Sequence, residues 1–271
     1  MNLSEELQYA TELARAAGAL VIEQYGKVGR LLKRNNEAVT DADRASQRLI
    51  VAGLRRRFAG DGIVGEENDT GDAITFDVPN PAGRNWVIDP IDGTNNFLAG
   101  LGIFGVCIGL LDAGRPVLGV VYDVTRDQLF AAAAGLGAWL GAQRLGVSKT
   151  PLGDNTMLML TSNLLGPDGK APAYARRWLD QTNWKIRMLG SASMEAMQVA
   201  LGVAHGAVTL NGKLWDIAAP AAVVIEAGGI VTDPRGREIF PFDLTDYRGA
   251  KVPYLMAGPA AHPQLVNEMR R

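Results

Sequence analysis

Apolar side chains recur three or four positions apart at Leu3, Leu7, Ala10, Leu13, Ala14, Ala17 and Val21, which predicts an amphipathic first helix stopped by Gly26. Thr40 is a favoured N-cap with an acid three residues on at Asp43, so a second helix is expected through Leu49, Ile50, Leu54 and Phe58 to Gly60. The period then changes. Ile63-Val64 and Trp86-Val87-Ile88 are short continuous apolar runs. The second reads as a strand buried on both faces, ending where Asp89 leaves the core and Pro90 stops the ladder. Between them, residues 68–84 are rich in Asp, Gly and Pro and read as a surface loop. Residues 103–111 and 117–122 form a predicted antiparallel hairpin turning at Asp112-Ala113-Gly114-Arg115, with a further strand near 127–132.

Beyond about residue 150 strands and helices alternate. Met157–Thr161 and Ile186–Leu189 read as strands, Tyr174–Leu179 and Ser191–Leu201 as helices. A strand at 207–210 precedes a helix from Asp216 to the Gly228-Gly229 stop; strands Ile230–Thr232 and Tyr254–Ala257 and a closing helix from Pro263 complete the chain. Two subdomains are expected, 1–150 and 151–271, packed without a linker because no Ser/Gly/Pro-rich spacer separates them.

Composition narrows the function. Of 271 residues 47% are hydrophobic and 21% charged, as in soluble globular proteins, and a net charge of -2 with no long basic run argues against a nucleic-acid partner. Arg55-Arg56-Arg57 reads as the solvated end of a helix, where cations complement the dipole. The single cysteine excludes an intramolecular disulfide, and Cys107, inside an apolar run, reads as a buried small hydrophobe. The acidic start Met-Asn-Leu-Ser-Glu-Glu lacks the basic and apolar regions of a secretion signal, and no stretch is long enough to span a membrane, so a cytoplasmic setting is expected.

The chemistry concentrates where apolar runs end in acids. Asp89 and Asp92 come after Trp86-Val87-Ile88, and Gly93-Thr94-Asn95-Asn96 can then turn the chain so that backbone N–H groups face an anion. Glu66 and Glu67 end the Ile63-Val64 strand on the same plan. Far downstream Asp216 opens an Ala/Val-rich helix, where its local reading is an N-cap. Carboxylates converging from three strand or helix ends repel one another unless a cation sits between them, and their oxygens suit Mg²⁺.

Taken in order, Val39-Thr40-Asp41-Ala42-Asp43, Gly65-Glu66-Glu67, the segment Trp86 to Phe97, Leu214-Trp215-Asp216-Ile217-Ala218-Ala219-Pro220 and Glu226-Ala227-Gly228-Gly229 resemble the motifs of the inositol monophosphatase family. The likeness runs from the first helix to about Gly258. It implies an α+β fold, a layered α-β-α-β-α sandwich of the inositol monophosphatase/fructose-1,6-bisphosphatase type, and a Mg²⁺-dependent, lithium-sensitive phosphomonoesterase acting on a small polyol or sugar phosphate by in-line attack of a metal-bound water. By the resemblance two to three Mg²⁺ are held. Glu66, Asp89 and the carbonyl of Ile91 would hold one, Asp89, Asp92 and Asp216 a second, and Glu66 with waters a third. Thr94, backed by Asp43, would orient the attacking water, and amides at Gly93 and Thr94 would take the phosphate. Glu67 is expected behind the ligands rather than among them, and Lys33 either adds positive charge near the metals or is a solvated lysine. The resemblance also implies a homodimer.

Recognition of the alcohol is expected from Gly190-Ser191-Ala192, which resembles a substrate-contacting segment of the family. Inositol-preferring members carry an acid seven residues before the aspartate of the Trp-Asp pair; here that position is Thr209, near Asn211 and Lys213. A neutral or cationic rim suits sugar phosphates, fructose bisphosphate or a nucleotide phosphate such as phosphoadenosine phosphate; histidinol phosphate is a further alternative on the same fold, but the acidic rim better suited to its amine is not evident, and a non-catalytic metal-dependent regulatory role is the alternative of another class. His205 is expected to be a hydrogen-bonded helix-end residue and His262 a surface residue.

Overall fold

A computed structural model describes residues 3–27, 31–32, 38–68, 74–162, 164, 169–180 and 183–271. Helix α1 (Ser4–Gln24) is followed by a small antiparallel pair, β1 (Leu31–Leu32) and β2 (Ala38–Val39), and by α2 (Asp41–Arg57). Thr40 caps α2 as its spacing predicts: its hydroxyl accepts from the Asp43 N–H, and the Asp43 carboxylate accepts in turn from the Thr40 N–H at 2.7 Å. Next come β3 (Gly62–Gly65), β4 (Thr75–Asp77), β5 (Arg84–Asp92), the short helix α3 (Thr94–Ala99), β6 (Gly105–Asp112), β7 (Arg115–Asp123), β8 (Gln128–Ala133), β9 (Gly137–Leu140) and β10 (Gln143–Arg144). They make an eight-stranded sheet in the order β10-β9-β8-β7-β6-β5-β3-β4, antiparallel except where β3 runs parallel to β5. The second half supplies β11 (Met157–Leu160), α4 (Ala173–Asp180), β12 (Lys185–Arg187), α5 (Ala192–Ala200), β13 (Gly206–Thr209), α6 (Leu214–Glu226), β14 (Ile230–Thr232), β15 (Tyr254–Ala257) and α7 (His262–Arg270). Its strands form a five-stranded mixed sheet, β12-β11-β13-β15-β14.

Side-chain alternation along the strands sorts the layers. Trp86, Ile88, Val106, Ile108, Val120 and Tyr122 face α1 and α2, while Val87, Cys107 and Val121 face α5 and α6 on the opposite side of the same sheet. Met159, Ala207 and Met256 cover the far side of α5 and α6, and Leu158, Leu160, Val208 and Leu255 face α4 and α7. The molecule is therefore the five-layer α-β-α-β-α sandwich. Two glycines let α6 lie close on the large sheet: a Cβ on Gly109 would stand 2.8 Å from the Ala219 nitrogen, and one on Gly119 would run into the Ala219 carbonyl.

Four expectations need correcting. Strand β5 does not stop at Pro90; a register irregularity between Asp89 and Asp92 absorbs the residue that cannot donate, and pairing with β6 resumes at Asp92. Residues 68–84 are not all loop, since Thr75–Asp77 form edge strand β4 beside β3. Helix α6 starts before Asp216, which sits in its first turn with Lys213 as the N-cap. His262 is not a surface residue: it is buried as the first residue of α7 and shares a hydrogen bond of 2.8 Å with Thr232. No helix among the described residues is long and apolar enough to cross a membrane.

Candidate active site

Asp89 lies on the face of β5 that looks toward α6, and the irregularity after it turns Asp92 into the same space. Asp216 enters from the first turn of α6. One carboxylate oxygen from each of the three lies within 4.8 Å of the others. Glu66, whose N–H bonds the Ile88 carbonyl at 3.2 Å just past the end of β3, lines the cleft beside them. Each of the three clustered aspartates is held from behind. Asp89 accepts from the Ile91 N–H at 3.1 Å, and Asp216 from the Lys213 N–H at 2.6 Å. Asp92 meets the N-terminus of α5, accepting from the Ser191 hydroxyl at 2.5 Å, the Ser193 N–H at 2.6 Å, the Ala192 N–H at 3.2 Å and the Ser193 hydroxyl.

Buried acids this close disfavour one another's charge. Burial, then Glu66, Asp92, Asp216 and Asp43, pushes the Asp89 carboxyl well above the usual range. Burial with Asp92 and Glu66 takes Asp216 to about 8. Asp92 is raised by burial against the pull of its Ser191, Ser193 and Ala192 donors. A divalent cation with a preference for oxygen ligands fits this donor set, because it offsets both the desolvation and the repulsion.

Beside the cluster, the Thr94 hydroxyl stands 3.2 Å from Asp43 Oδ1 and 3.0 Å from the Ile91 carbonyl, both acceptors for its single proton. The other oxygen of Asp43, Oδ2, accepts from the Thr40 hydroxyl at 2.6 Å. Asp43 is thus at once the N3 residue of a capping box and the neighbour of Thr94. Thr94 itself caps nothing: Gly93 is the N-cap of α3, at φ 93, where a Cβ would press on the Ile103 carbonyl at 2.9 Å.

These groups open into a cleft of about 410 Å³ that also receives Gly190, Ser191, Ala192, Thr209, Asn211, Lys213 and Lys251. The expected residues of the metal, water and alcohol sites therefore meet in one place, with two exceptions. Glu67 is buried on the far side of Glu66, its main chain held by Gln47, whose Oε1 accepts from the Glu67 N–H at 2.9 Å; it borders a separate cleft against α2. Lys33 lies outside the described residues. Sequence reasoning missed Ser193, Glu195 and Gln47, and neither Ser193 nor Gln47 carries a local signal. Glu195 is buried in the cleft wall, where its carboxylate accepts from the Leu189 N–H at 2.8 Å and the Gly190 N–H at 3.3 Å and burial lifts it to about 8. Its one signal in the sequence is an acid set in an otherwise apolar stretch, Met194 to Met197. His205 is hydrogen-bonded as expected, paired with Thr150 at 3.0 Å, but it stands just before β13 and not at a helix end, and Cys107 is fully buried.

The profile of the inositol monophosphatase family matches residues 2–270. The chain belongs to this family. It is 33% identical over 245 residues to the fructose-1,6-bisphosphatase/inositol-1-monophosphatase of Thermotoga maritima, covering 88% of each chain. It is 35% identical over 240 residues to a histidinol-phosphatase of Chlorobaculum parvum, covering 87% of this chain and 88% of that one. The crystal structure of the extragenic suppressor protein suhB from Bartonella henselae superposes with a TM-score of 0.86 at 27% identity over 99% of both chains. With the family comes its class of chemistry: the chain is a phosphoric monoester hydrolase.

Proposed function

We propose that this enzyme hydrolyses the phosphate monoester of a small polyol or sugar with two to three Mg²⁺ ions, by direct in-line attack of water and without a covalent intermediate. The observation that carries the reading is the meeting of Asp89, Asp92 and Asp216 within 4.8 Å beside the Thr94–Asp43 pair. Glu66, Asp89, Asp92, Asp216 and the Ile91 carbonyl would hold the ions. Bound Mg²⁺ supplies charge neutralisation of the phosphoryl oxygens and a lowered pKa for water. The residues do the rest. Asp43 Oδ1 takes the Thr94 proton in a hydrogen bond, so the Thr94 lone pairs face the cleft and accept from the attacking water, fixing its direction. Amides at Gly93 and Thr94, which the turn at Gly93 leaves outside any ladder, receive the phosphate. Gly190, Ser191 and Ala192 place the alcohol, although Ser191 and Ala192 are also donors that fix Asp92.

The same reading takes the enzyme as a lithium-sensitive homodimer, on the support of the family resemblance, and as cytoplasmic, on the support of the sequence features that suggest neither a secretion signal nor a membrane span. Thr209 favours breadth: without an acid there, inositol 1-phosphate loses one partner for its ring hydroxyls and gains no large advantage over other esters. A phosphate-release screen with Mg²⁺ over inositol 1-phosphate, fructose bisphosphate, histidinol phosphate, glycerol phosphate and phosphoadenosine phosphate tests both statements. Turnover of several of them at comparable kcat/KM is expected. Absence of turnover of every ester would remove the enzymatic reading and leave the non-catalytic one, and an advantage of many orders of magnitude for inositol 1-phosphate would remove the inference from Thr209.

A further inference from the structure

Four acids among the described residues line the cleft, and the ion site accounts for three of them, Glu66, Asp92 and Asp216. The fourth is Glu195, which neither the ions nor the attacking water uses. It is 1% exposed and lies on α5 one turn beyond Ser191, whose carbonyl accepts from the Glu195 N–H at 3.0 Å. The same helix end holds Asp92 through Ser191, Ala192 and Ser193, so Glu195 keeps a fixed place relative to the acid cluster. One of its two oxygens is committed. Oε1 accepts from the Leu189 N–H at 2.8 Å and the Gly190 N–H at 3.3 Å. Asn96 of α3 clamps that turn from the other side, its amide donating to the Leu189 carbonyl at 2.7 Å and to the Ile103 carbonyl at 2.8 Å. The other oxygen, Oε2, takes part in no hydrogen bond with any described residue, yet it is not sealed inside the protein, so the little surface it has opens on the cleft. A carboxyl oxygen withdrawn from bulk water and left without a partner is a polar demand that a ligand can meet. The hydroxyls beside it are less available: that of Thr209 is buried beneath the cleft surface, and that of Thr161 is given to Asn211 at 2.7 Å.

We propose that Glu195 is a specificity-determining residue: its Oε2 hydrogen-bonds a hydroxyl of the alcohol part of the ester and so favours polyhydroxy esters over hydroxyl-free ones of the same size. The acid that reads the alcohol then comes from α5 and not from the position of Thr209. This rests on the phosphatase reading above and names the residue behind its choice of alcohol. The test compares kcat/KM for inositol 1-phosphate and cyclohexyl phosphate, the same ring without hydroxyls, in wild type, Glu195→Met, Glu195→Asp and Glu195→Gln, with Mg²⁺. Inositol 1-phosphate should lead in wild type. Glu195→Met should cut that lead by about tenfold, mostly through KM, because one substrate hydroxyl loses its partner. Glu195→Asp keeps an acid but draws it back by one methylene; it should cut the lead by a smaller factor, and it carries the test if Glu195→Met does not fold. Burial lifts the Glu195 carboxyl to about 8, so at neutral pH Oε2 bears a proton and donates. Glu195→Gln keeps an oxygen for the Leu189 and Gly190 N–H groups, sets an N–H where Oε2 stood, and should retain most of the lead. A residue that only braces the Gly190 turn would affect both esters by the same factor, so a lead unchanged in Glu195→Met and Glu195→Asp overturns the assignment and leaves Oε2 to water. No lead in a wild type that hydrolyses both esters overturns it equally, with the phosphatase intact. A wild type inert toward both overturns the phosphatase reading instead.

Discussion

Thr94 has one proton and two acceptors, and the consequences of that are measurable. In the native site the charged Asp43 Oδ1, at 3.2 Å, outcompetes the neutral Ile91 carbonyl at 3.0 Å, because hydrogen bonds to ionised acceptors are about twice as strong. Asp43→Asn keeps one oxygen to accept from the Thr40 N–H but offers an amide to Thr94, so the threonine proton swings to Ile91 and its lone pair turns from the cleft to the new amide. The water then loses its guide. A loss in kcat of about 10²- to 10⁴-fold with little change in KM is expected for Asp43→Asn, and a similar one for Thr94→Ala, with the double variant only slightly worse. Stability separates this from mere capping. Asp43→Ala strips the fully buried Thr40 hydroxyl and N–H of their acceptor, about 1–3 kcal/mol each. Asp43→Asn forfeits about 1 kcal/mol of cap but also relieves one of the charges that oppose ionisation of Asp89, so its metal-free Tm should move by only a few degrees. Steady-state turnover of inositol 1-phosphate and thermal melts by circular dichroism give both quantities. Losses in kcat that multiply in the double variant would show that the two residues act separately, and the proposed guidance of water would be wrong.

The clustered acids give further outcomes. Asp216 holds its proton to about pH 8 in the metal-free fold against 3.8 ordinarily, so the native state binds a proton the unfolded chain has lost, and stability falls as pH rises between those values, by at most about 1.4 kcal/mol per pH unit for one proton. The Tm gain on adding Mg²⁺ should accordingly be larger at pH 8 than at pH 5; equal gains would mean that the cation does not displace that proton. Asp89→Asn should lower turnover by at least about two decades while raising the metal-free Tm, and a variant within a few-fold of wild type would take Asp89 out of the metal site. Ser193→Ala removes a single donor from Asp92, the hydroxyl, and keeps the backbone N–H; it should raise the Mg²⁺ concentration for half-maximal activity by about 10- to 100-fold. An unchanged Mg²⁺ dependence would mean that the remaining donors orient Asp92 unaided.

Much of the site was legible because its acids stand at the ends of apolar runs. Trp86-Val87-Ile88 announces a buried strand, and a chain leaving such a strand must also leave the core. The failures have a common cause in contacts between distant segments. Pro90 forbids a regular ladder locally, yet pairing of β5 with β6 carries the chain past it through one irregularity. Asp216 has the composition of an N-cap, but Lys213, bonded back to it, takes that place because packing on the large sheet starts α6 at Leu214. Ser193 and Glu195 read as ordinary helix residues until the fold brings Asp92 and the Gly190 turn to them. The short strands β4, β9 and β10 lie at or near sheet edges, where pattern is weakest because an edge ladder faces solvent.

Helix α6 lies between the two sheets, and its first turn carries the one acid of the cluster that comes from the second half of the chain. Its position depends on both neighbours at once, on Gly109 and Gly119 of the large sheet and on the apolar face of the small one. A ribosome must therefore release the chain past the last strand of the small sheet, β15, before the third carboxylate can settle beside the other two. Cation binding then becomes a late reporter of assembly: a nascent chain, a truncated one or a misdocked half displays Asp89 and Asp92 without Asp216 and holds the ion less tightly. Under the proposed Mg²⁺ requirement, mass action would make the ion stabilise finished molecules selectively, so the availability of magnesium would bear on the yield of folded enzyme as well as on its rate.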